Sequence, residues 1–369
     1  MSRAPLTITC YHHDVPSFAL DALDRLYGGR YCCASHFQIY GLAHDTCTYV
    51  ARRSGELVSV FLFRLRGASA IVLNEGMRVG AEEAGAFARY LFAHYRAATA
   101  LRFRMIEDAA LALALPAQRC RGAQESMLVL PPSAARYLEG LGTATRANLK
   151  RYRALLARDF PAMRFELLRG PAVSAEQVGA IVALNRERMR RKGKRSSIDA
   201  REEQCILAYV RECGLAGLAS VDGRVCAGLL IYRAGRDFSA RIVAHDPAYD
   251  RYRLGLLCFY FSICACIAHG AGARLYFGWG MDEYKRHLGG RPRQLGHLAI
   301  YRSRVAMARH PVLVLRMALA RPLALAGQAL RDAADGGHPL LTPLARVGRA
   351  GVRRLRQGAA RLGAWARPP

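Results

Sequence analysis

Hydrophobic positions along this chain recur with the two spacings that distinguish strands from helices. In the first half, three short apolar segments follow one another at Thr48–Arg53, Leu57–Leu65 and Ser69–Asn74, separated by glycine-containing breaks. The next segment, Ala81–Ala98, places its apolar residues at helical spacing. The pattern predicts three strands followed by a helix.

The second half repeats this order of elements. Strands are predicted at Ala216–Val221, Val225–Arg233 and Phe238–Ala244, with Asp222-Gly223 as a hairpin turn between the first two. The apolar segment Leu254–His269 then predicts a buried helix. The repeat favours a mixed α/β fold of the α+β type, built from two tandem domains.

Basic segments lie between the two repeats and at the end of the chain. Thr143–Arg158 has leucines on one face and cations around the other, which predicts a basic amphipathic helix, and Ser174–Arg191 predicts a second helix. After residue 300 the sequence is rich in Arg and contains no Lys. Helices at Val312–Leu330 and Val352–Trp365 would lie either on an anionic surface or on the rest of the protein.

Charge is the unusual feature of the composition. The chain of 369 residues has 55 Lys+Arg and 28 Asp+Glu, a formal net charge of +27. This excess fits nucleic acid, an anionic membrane surface or a phosphorylated cofactor, and it fits a solvated Arg-rich surface equally well. The longest apolar run, Leu254–Ala268, is shorter than the roughly 20 residues that span a bilayer, and the amino terminus lacks a secretory pattern. We expect a cytoplasmic protein. Peripheral contact of its tail with the inner membrane stays an open alternative.

The cysteines give no sign of a metal site. There are 11 of them, and the closest pairs, Cys32-Cys33 and Cys264-x-Cys266, lack the spacing of zinc ligands. We predict reduced thiols and no bound metal.

The segment from Phe238 to Gly290 carries the candidate chemistry. A predicted strand ends at Ala244, a loop with two arginines follows, and Gly255 lies at the start of the apolar helix. The first N–H groups of a helix lack internal partners and attract phosphate. The candidate cofactor site therefore consists of Ile242, Val243, Ala244, Arg251, Arg253, Gly255 and Leu256.

Two motifs in this segment resemble those of GNAT acyltransferases of the FemAB/CelD-like branch, which are associated with bacterial envelope and exopolysaccharide loci. They are Asp246-Pro247-Ala248-Tyr249 with Tyr252-x-x-Gly255, and Tyr276-Phe277-Gly278-Trp279-Gly280 with Tyr284-Lys285-Arg286-His287-Leu288-Gly289. The resemblance covers Leu138–Arg302. It departs at Tyr276, where the family usually has Asp, and the glycine-rich pyrophosphate signature retains only Gly255.

The repeated order of elements, the resemblance and the basic composition of the tail together predict three domains, and the resemblance implies an activity. The domains are a degenerate GNAT-like domain at 1–140, a GNAT acyltransferase domain at 141–303, and a basic helical tail at 304–369. The activity is direct transfer of an acyl group from acyl-CoA, with acetyl-CoA the first choice, to an amine or hydroxyl of a small-molecule or saccharide acceptor. An acyl carrier protein or aminoacyl-tRNA stays open as donor, and no nucleic acid is expected as a partner except tRNA in this alternative. A non-catalytic adaptor that binds a membrane or nucleic acid through the tail is the remaining alternative.

Four residues are candidates for the chemistry. Asp282, on a loop after Gly280, and His245, just past the cofactor strand, are candidate bases, although a solvated carboxylate and a histidine that orients a turn would look the same. The family block makes Tyr284 the candidate proton donor to the departing thiolate and Lys285 the candidate for binding an anionic group. Four arginines could hold an anionic acceptor in a cleft between the halves: Arg146, Arg151, Arg186 and Arg188.

Overall fold

A computed structural model describes residues 4–107 and 112–320 of the chain. Its strands are β1 (Leu6–Tyr11), β2 (Cys47–Arg53), β3 (Glu56–Arg66), β4 (Ser69–Val72), β5 (Ala100–Glu107), β6 (Ala117–Val129), β7 (Arg164–Arg169), β8 (Gly214–Val221), β9 (Arg224–Ala234), β10 (Asp237–His245), β11 (Arg274–Trp279) and β12 (Arg291–Tyr301).

The α-helices are α1 (Ser17–Leu26), α2 (Ala34–Ile39), α3 (Ala81–His94), α4 (Ala134–Gly140), α5 (Thr143–Asp159), α6 (Ala175–Arg191), α7 (Ala200–Cys213), α8 (Leu254–His269), α9 (Glu283–His287) and α10 (Arg304–Ala308). Short 3-10 turns lie at Arg30–Cys32, Gly170–Ala172 and Pro247–Tyr252. Helical backbone also covers residues 311–320.

The helices and strands predicted for the two repeats are confirmed. The predicted helix Leu254–His269 is α8, and the strand triplets correspond to β2–β4 and β8–β10. The helix α3 ends at His94, four residues before the predicted end.

Ser174 caps α6 by accepting a hydrogen bond from the Gln177 amide, while the Gln177 side chain accepts one from the Ser174 amide.

The chain divides into two compact units, each assembled from segments that are distant in sequence. One unit consists of Met1–Arg64, Val72–Arg78 and Ala123–Leu295, and the other of Leu65–Ile71, Val79–Gly122 and Gly296–Pro369. The division does not follow chain order, and the predicted domain limits at residues 140 and 303 stay predictions.

The first unit contains a mixed sheet with helices on both faces. Its strand order is β6-β11-β10-β9-β8-β7. The strands β10 and β11 run parallel, whereas β6 and β11, β10 and β9, β9 and β8, and β8 and β7 pair antiparallel. Along β9, Leu229 and Ile231 pack with α8, whereas Leu230 and Tyr232 pack with α6 and α7. The two-residue alternation of a strand thus buries both faces of the sheet. The strands β1, β2 and β3 of this unit pair in that order, and α1 packs on them.

The second unit has the strand order β4-β5-β12-β6 and a small core of its own, formed by Ala100, Ala299, Tyr301, Leu313 and Met317. Arg302 donates hydrogen bonds to the carbonyls of Phe92, Tyr95 and Ala98 around the end of α3, where a cation is favourable.

The tail begins in this unit with α10 and the helical residues 311–320. Its described surface exposes four apolar side chains: Val305, Val312, Leu315 and Leu319. Most of the predicted helix Val312–Leu330 and the whole of Val352–Trp365 lie outside the described residues.

The predicted mixed α/β class of the α+β type is confirmed. The 11 cysteines, all within the described ranges, are free thiols. Over those ranges, no helix combines the length and the apolar composition that crossing a membrane requires.

Candidate active site

The parallel strands β10 and β11 diverge part of the way along their length. They pair only at Phe238 with Leu275 and at Ser239 with Tyr276. Directly after these pairs, each strand shifts register against its other neighbour. The strand β10 shifts against β9 between Ala240 and Ile242, and β11 shifts against β6 between Tyr276 and Gly278. The backbone of Ile242–Ala244 therefore keeps its partner β9 while its other edge lies outside the ladder of β11. Unpaired strand edges are where an extended, amide-bearing ligand can add hydrogen bonds.

The helix α8 starts beside the end of β10. Asp246 opens the intervening turn by accepting a hydrogen bond from the Ala248 amide, and it forms a 2.6 Å ion pair with Arg224. Arg253 adopts the left-handed conformation (φ +51°) that turns the chain into α8. Arg251 and Arg253 are exposed, so both guanidinium groups can meet an anion at this end of the helix.

Gly255 has a different role from the predicted one. A Cβ at this position would lie 2.7 Å from Nδ1 of His245, so the space that the glycine leaves is filled by the imidazole ring and is not open to a ligand. The Nε2 atom of His245 lies 2.7 Å from the Asp250 carboxylate. His245 is thus packed against Gly255 on one side and hydrogen-bonded to Asp250 on the other, and its role as a base or as the residue that orients the Asp246-Pro247 turn stays a prediction.

Lys285 also differs from its predicted role. Its side chain is buried, and the ammonium donates hydrogen bonds to the carbonyls of Gly278, Trp279 and Gly280, with the Asp282 carboxylate 3.5 Å away. Burial lowers the pKa of Lys285, and the charge of Asp282 opposes that effect. All three ammonium protons have partners within the chain, so Lys285 holds the end of β11 in place and is not free to bind an anion.

Tyr284 lies beside this loop with its hydroxyl protonated at neutral pH. Its ring packs 6.0 Å from that of Phe259 on α8. Burial first, and the negative charge of Asp282 second, raise the pKa of Tyr284 to about 12, while Arg188 lowers it. A hydroxyl that keeps its proton at neutral pH meets the requirement for a proton donor.

Arg188 joins the diverging strand to Tyr284. Its Nη1 donates a 3.0 Å hydrogen bond to the carbonyl of Val243, and its charge acts on Tyr284. Its Nε is buried and has no hydrogen-bond partner within the described residues. Of the four predicted acceptor-binding arginines, Arg188 is the one that the structure connects to β10.

The other three arginines have local partners. Arg186 donates to the carbonyl of Ile198 and pairs with Glu203 at 2.7 Å. Arg146 donates to the carbonyl of Glu139, and exposed Arg151 donates to the Asn148 side chain and the Tyr152 hydroxyl, which are all neighbours on α4 and α5. The contacts of these three provide no evidence for a shared anion site.

A second group of charged and aromatic side chains was not predicted from the sequence. Glu125 lies on β6 opposite Trp279 of β11. Its carboxylate forms a 3.3 Å ion pair with Arg293. Burial raises the pKa of Glu125, and the charges of Arg293, Arg30 and Lys285 oppose the shift in that order. The rings of Tyr31 and Trp279 stack at 6.1 Å. The sequence contains one local sign of this group. The pair Gly28-Gly29, directly before Arg30, indicates a backbone turn.

Metal ligands are not gathered anywhere in the described part of the chain. No group of three or more His, Cys, Asp or Glu side chains there could hold an ion.

Comparisons with known proteins agree with this fold. Residues 143–286, which include α5–α8 and the diverging strands, match a family model described as an acetyltransferase (GNAT) domain. A comparison with curated protein sequences finds no match.

Three solved structures share the fold at low sequence identity. FemX has a TM-score of 0.60 at 11% identity, covering 82% of this chain and 99% of FemX. L-PGS from Bacillus licheniformis has a TM-score of 0.53 at 14% identity, covering 85% and 98%. A conserved protein of unknown function from Bacteroides thetaiotaomicron VPI-5482 has a TM-score of 0.53 at 10% identity, covering 80% and 100%.

Proposed function

We propose that this protein is an acyltransferase that moves an acyl group from acyl-CoA, with acetyl-CoA the first choice, to an amine or hydroxyl. The acceptor that we propose is a molecule related to the bacterial envelope or exopolysaccharide. The observation that carries the proposal is the divergence of β10 from β11 beside the start of α8. The GNAT match over residues 143–286 and the FemAB/CelD-like motifs support the assignment.

The donor would bind along the free edge of β10. Backbone groups of Ile242–Ala244 would form hydrogen bonds with the amides of the pantetheine arm, and exposed Arg251 and Arg253 would meet the phosphates near the amino end of α8. Because Gly255 is packed against His245, the phosphates would meet the backbone just before it, near Arg253.

The reaction would be a direct displacement at the thioester carbonyl. The acceptor nitrogen or oxygen forms the new bond to the carbonyl carbon, the carbon–sulfur bond breaks, and the acceptor proton passes to a base. Asp282, exposed at the start of α9, stays the proposed base because both ring nitrogens of His245 are covered, Nε2 by Asp250 and Nδ1 by Gly255. Tyr284 gives its proton to the departing thiolate.

The test measures donor binding and turnover separately. Wild-type protein should bind acetyl-CoA, succinyl-CoA or a long-chain acyl-CoA in a calorimetric titration, and thiol release should report turnover. Tyr284→Phe should keep the donor affinity and lower kcat by about 10- to 100-fold, because only the proton donor is lost. Tyr90→Phe on α3 is the matched control and should change neither quantity. No binding of any acyl-CoA by the wild type would refute the proposal.

Aminoacyl-tRNA is the second candidate donor. The net charge of +27 and the fold shared with FemX favour it. Co-purification of charged tRNA with the protein, together with no binding of acyl-CoA, would identify aminoacyl-tRNA as the donor.

A further inference from the structure

The backbone at Arg30 is held in one position by its neighbours in the first unit. Gly28 and Gly29 both have positive φ (+63° and +85°), and a Cβ at Gly28 would lie 2.8 Å from the carboxylate of Asp237. The carbonyl of Arg30 accepts hydrogen bonds from the Tyr209 hydroxyl (3.2 Å) and the Cys33 thiol (3.3 Å). Only glycines fit this turn without strain, and the turn determines where the Arg30 side chain begins.

The guanidinium of Arg30 has aromatic contacts but no polar partner. It lies 4.3 Å from the ring centre of Tyr31 and 5.9 Å from that of Tyr232. No hydrogen bond or ion pair joins it to a residue in the described ranges. The nearby carboxylates are already engaged, since Glu125 pairs with Arg293 and Glu202 pairs with Arg241. A partly buried cation without a carboxylate partner is ready to bind an anion.

Two unsatisfied hydrogen-bond donors lie on the paired strands β9 and β10, one of them on Tyr232, whose ring contacts this cation. The side chain of Tyr232 is 1% exposed, and its hydroxyl has no hydrogen-bond partner in the described part of the chain. The Nε of Arg241, on the neighbouring strand β10, is likewise buried without a partner there. Arg30 and Arg241 both act on Tyr232 through their charges. Buried donors without partners are uncommon in folded proteins, and a ligand is one way of satisfying them.

An aromatic surface connects Arg30 to the end of β11. Tyr31 is buried and stacks with Trp279, which is 38% exposed. Trp279 is the last residue of β11, the strand that diverges from β10. A ligand in contact with Arg30 and this aromatic pair would therefore reach the opening between the strands.

We propose that Arg30 binds an anionic group, a carboxylate or a phosphate, of a ligand that lies against Tyr31 and Trp279. This proposal extends the proposed function and rests on it, because it takes the ligand to be the acyl acceptor. The Tyr232 hydroxyl would donate a second hydrogen bond to the same group. Acidic saccharides have this combination of a ring and an anion, and sugar rings pack on aromatic side chains.

The fluorescence of Trp279 tests the proposal directly. The chain has 2 tryptophans, so Trp365→Phe leaves Trp279 as the sole reporter. In this background we expect glucose 1-phosphate, glucuronate or both to give a saturable change in emission, and neutral glucose to give none. Saturation by one anion alone identifies the anionic group as phosphate or carboxylate. No saturation by either anion overturns the proposal.

Two substitutions that each remove one positive charge distinguish a specific anion site from general attraction to a basic protein. Arg30→Gln should weaken anion binding at least about tenfold, whereas Arg25→Gln, an exposed arginine on α1, should stay within about twofold of wild type. An equal effect of the two substitutions overturns the proposal. If Arg30→Gln fails to fold, Arg30→Lys and Tyr232→Phe carry the test, because each keeps the volume and removes part of the hydrogen-bonding group.

Donor binding distinguishes this inference from the proposed function. Arg30→Gln should bind acyl-CoA as tightly as the wild type does. If the wild type binds no acyl-CoA and still shows Arg30-dependent anion binding, the proposed function fails and the anion site stands. If acyl-CoA binds and the two arginine variants behave alike, the anion site fails and the transferase assignment is unaffected.

Discussion

Single residues in this protein owe their roles to the partners that folding gives them. Lys285 was predicted to bind an anion, but three carbonyl groups at the end of β11 accept its hydrogen bonds. Arg30 was not singled out in the sequence, and its guanidinium group is left without a polar partner among the described residues. A buried cation with three acceptors stabilises the loop that it holds, whereas a cation without a partner can bind a ligand.

Replacing Lys285 should therefore destabilise the protein. Lys285→Met leaves three carbonyls without their donor, and we expect the free energy of unfolding to fall by about 2–4 kcal/mol. Urea denaturation measures the change, and Lys194→Met, which removes an exposed lysine, is the control. Unchanged stability together with weaker acyl-CoA binding would restore the anion-binding role.

Asp24 should make stability depend on pH. Burial, followed by the negative charges of Asp21 and Glu212, raises the pKa of Asp24 to about 6, and its Oδ1 is buried without a partner in the described chain. The folded protein then binds more protons than the unfolded chain between pH values of about 4 and 6, so stability falls as the pH rises through this window. Asp24→Asn should be more stable than wild type at neutral pH and equal to it near pH 4, and we expect a difference of only about 1 kcal/mol at neutral pH because solvent screens the partly exposed carboxylate. The same difference at both pH values would contradict the assignment.

Contacts between elements decide where α8 begins relative to β10. The apolar pattern located the helix, but the close approach of Gly255 to His245 sets the distance between helix and strand. Elsewhere in the unit, Gly228 of β9 leaves room for Ile181 of α6, whose side chain would lie 2.3 Å from a Cβ at this position. Small residues at such contacts let a helix and a sheet approach each other more closely than larger side chains allow.

Gly255→Ala should disturb this contact. The added methyl group would overlap the imidazole of His245, which Asp250 holds in place, and we expect a loss of about 1–3 kcal/mol in stability. Gly140→Ala at the end of α4, where nothing lies within 4 Å of the new atom, is the control.

A double-mutant cycle with His245→Ala checks the cause. Once the ring is removed, Gly255→Ala should cost much less than it does in the wild type. Strictly additive effects of the two substitutions would show that the overlap with His245 is not the source of the loss.

At the scale of the whole molecule, the net charge of +27 attracts anions from a distance. The long range of this attraction depends on salt, because the Debye length shrinks from about 10 Å at 0.1 M to about 3 Å at 1 M.

The association rate constant of acyl-CoA should therefore fall about tenfold when salt is raised from about 0.05 M to about 0.5 M. The dissociation rate constant should change much less, because contacts within the site are screened less than long-range attraction. Stopped-flow binding measures both rates. A rate of association that does not depend on salt would show that the overall charge has no part in donor capture.

The predictability of the fold differed between elements for a physical reason. The elements α5, α6, α8 and β8–β10 were predicted because each places its apolar residues at the spacing of its own secondary structure. The elements α1, α2 and α7 were not predicted. Part of their packing depends on distant residues, as in the hydrogen bond between the Ser35 hydroxyl and Glu212.

The sequence by itself determined the periodic elements, the excess of cations, and the motifs around Gly255 and Tyr284. Only the tertiary structure decided that β10 and β11 diverge, that Lys285 is fully engaged, that Arg30 lies beside Tyr232, and that Tyr31 stacks on Trp279. The reason is that periodicity and composition are local properties of a chain, whereas side-chain contacts depend on residues that are up to about 250 positions apart, as in the stacking of Tyr31 on Trp279.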